Sequence, residues 1–327
     1  MSQRLEVDLN AVLVAVTAEE PRILVVEPPR SQDAPSQEPP ALPFGSFDPV
    51  SDRTLELGLR RWVYEQTGLS LGYVEQLYTF GDRDRYKAAG GKPTRFLSVA
   101  YLALLHEQEP AATGAAHWQN CYDLLPWEDR RKPVGRNRAL AVRLESWLDE
   151  DPAARDKRRE RLDVAFGLGK AGWNGDRVLD RYELLYEAGA VEEAVVDAQL
   201  RRSDGAPLKA DPTSGRSMFF DHRRIVATAL GRLRGKIRYR PVVFELLPPT
   251  FTLLQLQKVV EALSGIDLHK QNFRRLIERG GLVEGTGQLD THTGGRPAEL
   301  FRYRPDVVRE RPAPGVGLPG LPTAPPR

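Results

Sequence analysis

The stretch FTLLQLQKVVEALSGIDLHKQNFRRLIERGGLVE, residues 251–284, decides the fold of the C-terminal part of the chain. Thr252 and Gln255 have the spacing of a capping box, in which the threonine hydroxyl caps a helix and the glutamine reaches back to the backbone N–H of the cap. The helix so started carries Leu256, Val259, Val260 and Leu263 on one face and stops at Ser264-Gly265. A second helix is expected over 268–279, ending at Gly280-Gly281. Phe273, Leu276 and Ile277 share its inner face; Gln271, Arg274, Arg275 and Glu278 share the outer one, with Lys270 and Asn272 at the edges. A helix, a short turn and a basic polar helix form the helix-turn-helix layout. Its second helix enters the major groove, where Arg and Lys read guanine while Asn and Gln read adenine. Two short strands, 282–286 and 299–303, flank a glycine-shaped loop over 292–297 that reads as the wing of a winged helix, and Arg296 at its tip suits phosphate or minor-groove contact.

Upstream, 222–235 reads as a helix with Ile225, Ala229, Leu230 and Leu233 inward. Charge supports a polyanion partner for this end. Residues 219–304 hold 15 Lys and Arg against 8 Asp and Glu, whereas the whole chain is only +2, so residues 1–218 are acidic overall. The bland alternative is a solvated polar face on a protein-docking module, whose hold on random DNA would be weak and nearly independent of salt.

The chain has 327 residues with 41% apolar and 28% charged, the balance of a globular protein of two or three domains. No apolar run reaches the ~18–20 residues of a membrane helix, and MSQRLEVDLN lacks the apolar core of a signal peptide, so the expectation is a cytoplasmic protein with no membrane partner. One cysteine, Cys121, excludes an internal disulfide and reads as a half-buried thiol. Five histidines without HxxxH or HExxH spacing make a zinc hydrolase improbable; no metal ligands and no catalytic residues are assigned.

The N-terminal segment reads as strands over 7–16 and 22–27 about a turn at Glu19-Glu20-Pro21. A proline-dense loop follows, then a helix from Ser51 or Asp52 to about Gln66 that stops at Gly68, and strands over 73–80 and 96–105. Segments 138–148, 155–166, 177–188 and 191–200 are helical by periodicity. The expected organisation is α+β: a sandwich domain over 1–109, a helical insertion over 110–215, the winged helix over 216–305 and a disordered Pro/Gly-rich tail over 306–327. Trp118, Tyr122 and Trp127 are expected to pack the insertion.

Arg61-Trp62-Val63-Tyr64-Glu65-Gln66-Thr67-Gly68-Leu69 resembles the core of the Nudix box, which ends Arg-Glu-U-x-Glu-Glu-x-Gly-U with U a bulky aliphatic residue. Arg61, Val63, Glu65, Gly68 and Leu69 fit; Trp62 and Gln66 stand where the pattern has glutamates, Arg53 falls on its upstream Glu and Phe47 on its first Gly. Those carboxylates hold Mg²⁺ against a diphosphate. Glu65 alone cannot, so the reading is a Nudix-like α/β/α sandwich without pyrophosphatase activity. The alternative, an active Nudix pyrophosphatase with a regulatory winged helix, needs carboxylates from elsewhere, with Glu56, Asp82 and Asp84 nearest.

Taken together, YVEQLYTFGDRDR (73–85), FLSVAYLALL (96–105), the stretch 220–263, LHKQNFRRLIERGGLVE (268–284) and GGRPAELFRYR (294–304) resemble the Nudix-related transcriptional regulators of NAD metabolism, the NrtR family. YDLLPWEDR (122–130) and the insertion are more similar to its NadQ-like branch. The resemblance implies a homodimeric repressor of NAD biosynthesis or salvage genes on a palindromic operator. Its Nudix-like domain would need no cofactor and would sense a nucleotide effector (ADP-ribose, NAD or ATP). Thr252, Gln255, Lys270, Gln271, Asn272, Arg274, Arg275 and Arg296 are the candidate DNA contacts; Phe44, Phe47, Arg61, Glu65, Asp82, Arg83 and Arg85 are the candidate effector contacts. Phe44 and Phe47 have the chemistry to stack on adenine, although aromatics beside such a loop also serve as core, and Arg61 with Glu65 equally suits a structural ion pair.

Overall fold

β1 (Arg4–Thr17) and β2 (Glu20–Val26) form a hairpin whose two turn residues, Ala18 and Glu19, take φ of 50° and 63°. That is the left-handed geometry a two-residue hairpin turn demands, here met without glycine. The turn therefore precedes the expected Glu19-Glu20-Pro21, and Pro21 is already paired with Val16. The computed structural model describes residues 4–28, 38–81, 94–111, 116–131, 138–201, 214–291, 297–310 and 314–316. Asp82, Arg83, Arg85 and Arg296 lie outside them.

β3 (Phe44–Ser46), α1 (Leu55–Thr67), β4 (Tyr73–Phe80), β5 (Thr94–Leu104) and β6 (Ala116–Asn120) complete the first unit. The sheet runs β4-β5-β1-β2-β6, with β3 also pairing β1. β1 is long enough for one edge to hold β5 in parallel throughout while the other is shared by β3 and β2, both antiparallel. Its alternation divides the layers. Leu9, Ala11 and Leu13 pack on Leu59 and Val63 of α1, whereas Val12 and Val14 face the opposite core. Each such side chain contributes about 1.5–3 kcal/mol on full burial. The cap of α1 is Thr54, whose side chain accepts from Leu57 N, rather than Ser51 or Asp52. The helix ends at Gly68 in the left-handed region, as its sequence suggests.

β6 lies within the stretch read as a helical insertion and pairs with β2, so that stretch also supplies the last strand of the sheet. After α2 (Cys121–Leu124) and a 3-10 turn at Pro126–Glu128 come α3 (Arg138–Asp149), α4 (Arg155–Phe166), α5 (Val178–Glu187) and α6 (Glu192–Arg201), close to the four expected helices. Cys121 is fully rather than half buried, and burial pushes its thiol up to about 12. Tyr122 and Trp127 belong to the large core, whereas Trp118 packs in the α1-side core and donates to Gln108 O.

α7 (His222–Ile237), α8 (Leu253–Ser264), α9 (Lys270–Gly280), β7 (Val283–Asp290) and β8 (Ala298–Tyr303) build the C-terminal unit. Phe251 and Phe301 exchange backbone hydrogen bonds at 3.0 and 2.8 Å, which adds the start of α8 to the wing hairpin as a third strand segment. α7 and α8 also cover the face of the sheet that α1 leaves open, so residues from both units share one core. The tail is not disordered at its start. Val307–Glu310 form α10, and Val307 and Val316 are fully buried, anchors hidden among prolines in the sequence.

Candidate nucleic-acid interface and ligand-sensing face

α9 is held by two buried apolar side chains, Phe273 and Ile277, with Leu276 partly covered. Its opposite face, Lys270, Gln271, Asn272, Arg274, Arg275 and Glu278, is exposed. Among the described residues Lys270, Gln271 and Arg274 make no side-chain hydrogen bond or ion pair, and Arg275 reaches only Asn272, at 3.5 Å. A row of donors aimed at solvent suits a polyanionic surface with base edges between its phosphates.

The angle of this helix is fixed by the turn before it. Glu261 accepts from Leu268 N and from Gln257 Nε2, both at 2.9 Å, while Gln257 also donates to Leu268 O. Burial alone raises the Glu261 pKa, but the bonds from Gln257, Leu268 and Lys258 outweigh it and hold the carboxyl below the usual range. Gly265 turns in the left-handed region, where any Cβ would stand 2.2 Å from Glu128 O. Arg130 N donates to Gly265 O at 2.8 Å. At the other end of α8 the expected capping box is present: Thr252 Oγ1 accepts from Gln255 N and Gln255 Oε1 from Thr252 N. Thr252 is buried, so these two side chains are engaged in starting α8.

A buried ionic cluster connects this turn to the rest of the chain. Glu128 accepts from Arg181 at 2.5 and 2.9 Å and from Arg234 at 2.5 Å, all three side chains being at most 1% exposed. Arg234 also donates to Leu263 O, and Tyr122 Oη to Ala262 O. Sequence patterns do not announce such arginines, because on amphipathic helices they look like solvated positions.

In the Nudix-like box, Arg61 makes a paired contact with Asp52 (3.1 and 3.0 Å) and a looser one with Glu65 at 3.4 Å. The Arg61 hydrogen bond holds the Asp52 carboxyl below its ordinary range. Trp62 donates to Ser46 O, and its indole covers Gly45 so closely that a Cβ there would lie 2.2 Å from the ring. Gln66 bonds both the N–H and the C=O of Phe44. Thus Trp62 and Gln66, at two of the box's glutamate positions, offer no free oxygen, Glu65 at the third faces solvent beside a guanidinium, and Arg53 is exposed. These residues do not fit a divalent metal.

Phe44 and Phe47 do not flank one cavity. Phe47 joins the core beneath α1, whereas Phe44 meets Phe219 and His222, at the start of α7, with ring centroids 5.7 and 5.2 Å apart. The register sets Phe44 beside Asn10, Asn10 beside Ala100, and Asp8 between Ser46 and Ser98, all on the face away from α1. Ser46 Oγ donates to Asp8 at 2.9 Å. Both amide atoms of Asn10 and the hydroxyl of Ser98 are buried without a hydrogen-bond partner. Orphaned polar atoms of this kind call for a function. Asn10 and Ser98 escaped the sequence reading, although Asn10 interrupts the aliphatic run VDLNAVLVAV and gave the available signal.

Among known proteins, residues 243–303 match the NrtR DNA-binding winged helix domain. The ADPR responsive transcriptional repressor NtrR of Acinetobacter baylyi is 42% identical over 84 residues, 26% of this chain and about a third (33%) of that relative's length. Shewanella oneidensis NrtR, solved with a 27mer DNA, superposes with a TM-score of 0.55 at 22% identity, over 93% of this chain and 95% of that one. A MutT/nudix family protein from Enterococcus faecalis superposes with a TM-score of 0.52 at 17% identity, over 93% and 88%. The C-terminal unit is thus similar to the NrtR winged helix over residues 243–303, and the chain shares the overall fold of these two solved proteins over most of its length.

Proposed function

We propose that this chain is a ligand-responsive transcriptional repressor of NAD biosynthesis or salvage genes. The observation that carries the reading is the outer face of α9, whose Lys270, Gln271, Asn272, Arg274 and Arg275 point to solvent from a helix fixed at both ends. These five residues contact base edges, and Arg296 on the wing contacts the backbone. Two copies bind a palindrome with half-sites about 34–36 Å apart or a multiple of it. The curated relative supports a repressor that responds to ADP-ribose; NAD and ATP are the other adenine nucleotides of the proposal.

The effector site is the sheet face of Asn10, Phe44 and Ser98, with Arg83 and Arg85, on sequence grounds, meeting the diphosphate. Asn10 offers a donor and an acceptor side by side, the pairing that asparagine uses for adenine. Because these atoms are covered in the present arrangement, a ligand must displace what lies over Phe44, including Phe219 and His222. α7 then moves, and through Arg234 it is bonded to the end of α8, one turn before α9. The Nudix-like domain is a sensor without hydrolase activity, since Trp62 and Gln66 leave no place for the metal. Fluorescence anisotropy with the DNA upstream of the neighbouring genes, titrated with ADP-ribose, NAD and ATP, tests the scheme. One of the three is expected to change operator affinity by about 5–150-fold. Mg²⁺-dependent release of AMP from ADP-ribose at high protein concentration would contradict the sensor assignment.

A further inference from the structure

A second cavity lies far along the chain from the Nudix-like box, where α3 and α4 close over the 3-10 turn at Pro126–Glu128. Its volume is about 310 Å³, within the range of about 300–1,000 Å³ for small-molecule sites. Leu140, Leu144, Leu162 and Phe166 form one wall, and Trp127 and Trp173 stand among the other lining residues. This side gives room for an apolar body, while Asn120, Asp129, Arg130 and Glu145 line the polar remainder.

The charges around it are unbalanced. The Trp173 ring carries two guanidiniums, Arg181 at 3.9 Å and Arg130 at 4.4 Å from its centroid. Glu128 is shared by Arg181 and Arg234, and Arg130, itself exposed at the mouth of the cavity, has no carboxylate within ion-pair distance among the described residues. Of the acids on the cavity wall, Asp129 is bound to Arg131 at 2.9 Å and Glu145 to Arg159 at 2.6 Å, while Asp123 lies exposed at the rim. Burial and the nearby Arg181 charge lower the Arg130 pKa against the smaller opposing pull of Glu128, and an added anion would raise it.

We propose that this cavity binds a small carboxylate with an apolar or aromatic body, its anion on Arg130 and its body among Leu140, Leu144 and Phe166. This ligand is distinct from the nucleotide effector. Occupancy is felt at the recognition helix, because the residue that holds the anion also donates its backbone N–H to Gly265 O, and Tyr122 of the same wall bonds Ala262 O.

The test titrates the full chain with phenylacetate, 1-naphthoate and octanoate, each against its neutral alcohol, by calorimetry and by tryptophan fluorescence from Trp127 and Trp173. At least one carboxylate is expected to bind with a submillimolar Kd and its alcohol at least tenfold more weakly. Arg130→Gln should cost the carboxylate at least tenfold and leave the alcohol unchanged. Ala141→Trp and Leu168→Trp, which enter the cavity from exposed positions, should each abolish binding while circular dichroism stays native. No submillimolar binding by any of the three carboxylates overturns the proposal, as does binding that survives both tryptophan variants. Operator affinity measured without any probe separates this result from the repressor reading, since its loss would strike the latter alone.

Discussion

Replacing Glu128 by Gln removes the one carboxylate held between Arg181 and Arg234 while keeping its shape. Both guanidiniums then remain at most 1% exposed with no anion to balance them. Breaking a buried pair in this way costs about 3–5 kcal/mol, a large part of the about 5–15 kcal/mol of stability a protein possesses. With a urea slope near 3 kcal/mol/M the unfolding midpoint should fall by about 1–2 M. The amide oxygen can take the place of Oε2, which accepts from both arginines, but its NH2 then opposes Arg181 Nε in the place of Oε1. The two unbalanced guanidiniums repel, which loosens the Arg234 bond to Leu263 O at the end of α8. Operator affinity should therefore fall even in urea-free buffer. The companion variant, Glu128→Gln with Arg181→Met and Arg234→Met, removes the stranded charges and should recover most of the midpoint. A midpoint change below about 0.3 M for Glu128→Gln would falsify the view that this cluster is a dry ionic junction.

Other consequences are equally direct. Arg274→Ala with Arg275→Ala should weaken operator binding by about 1–3 kcal/mol per lost base contact; unchanged anisotropy curves would refute the recognition-face assignment. Asn10→Leu removes two orphaned polar atoms, so it should raise stability by about 1–3 kcal/mol and erase the nucleotide response; a variant that still responds excludes Asn10 from the effector site. Gly45→Ala drives a methyl into the Trp62 indole and should cost about 1–3 kcal/mol, measured by thermal melting, whereas Trp62→Ala in the same background should relieve it. Glu261 has a folded pKa below its ordinary 4.5. Its stabilisation is thus complete above the unfolded value and lost as pH falls through the folded one. Acid unfolding of Glu261→Gln should show a shallower pH dependence below about 4.5 than the parent, and identical profiles would count against the bonded turn.

Local chemistry made much of this legible before any coordinates. The Thr252–Gln255 box, the Gly265 stop and the Phe273–Ile277 spacing are short-range signals, and each appears at its place. The four insertion helices follow for the same reason, since their periodicity lies within one turn or two of chain. What failed was competition or distance. Ser51 and Asp52 are as competent to cap as Thr54, but Ser51 Oγ donates to Asp48 while Asp52 is taken by Arg61 and by Asp48 N. β6 opens the stretch read as a helical insertion, and its pairing with β2 joins residues about 95 positions apart. Arg181 and Arg234 look solvated in sequence because their partner Glu128 comes from another element. Phe44 and Phe47 are three residues apart and face different cores, which alternation about the short β3 settles and composition does not.

The helix α7 belongs to two units at once: it lies across the sheet on one side and supports α8 on the other. The two units are therefore packed together through this helix. Under the proposed function, a ligand signal would pass as a tilt of this shared beam. A chimera joined just before Val242 would carry α8 and α9 without the helix that packs against them, and its C-terminal unit should be less stable than that of the full chain.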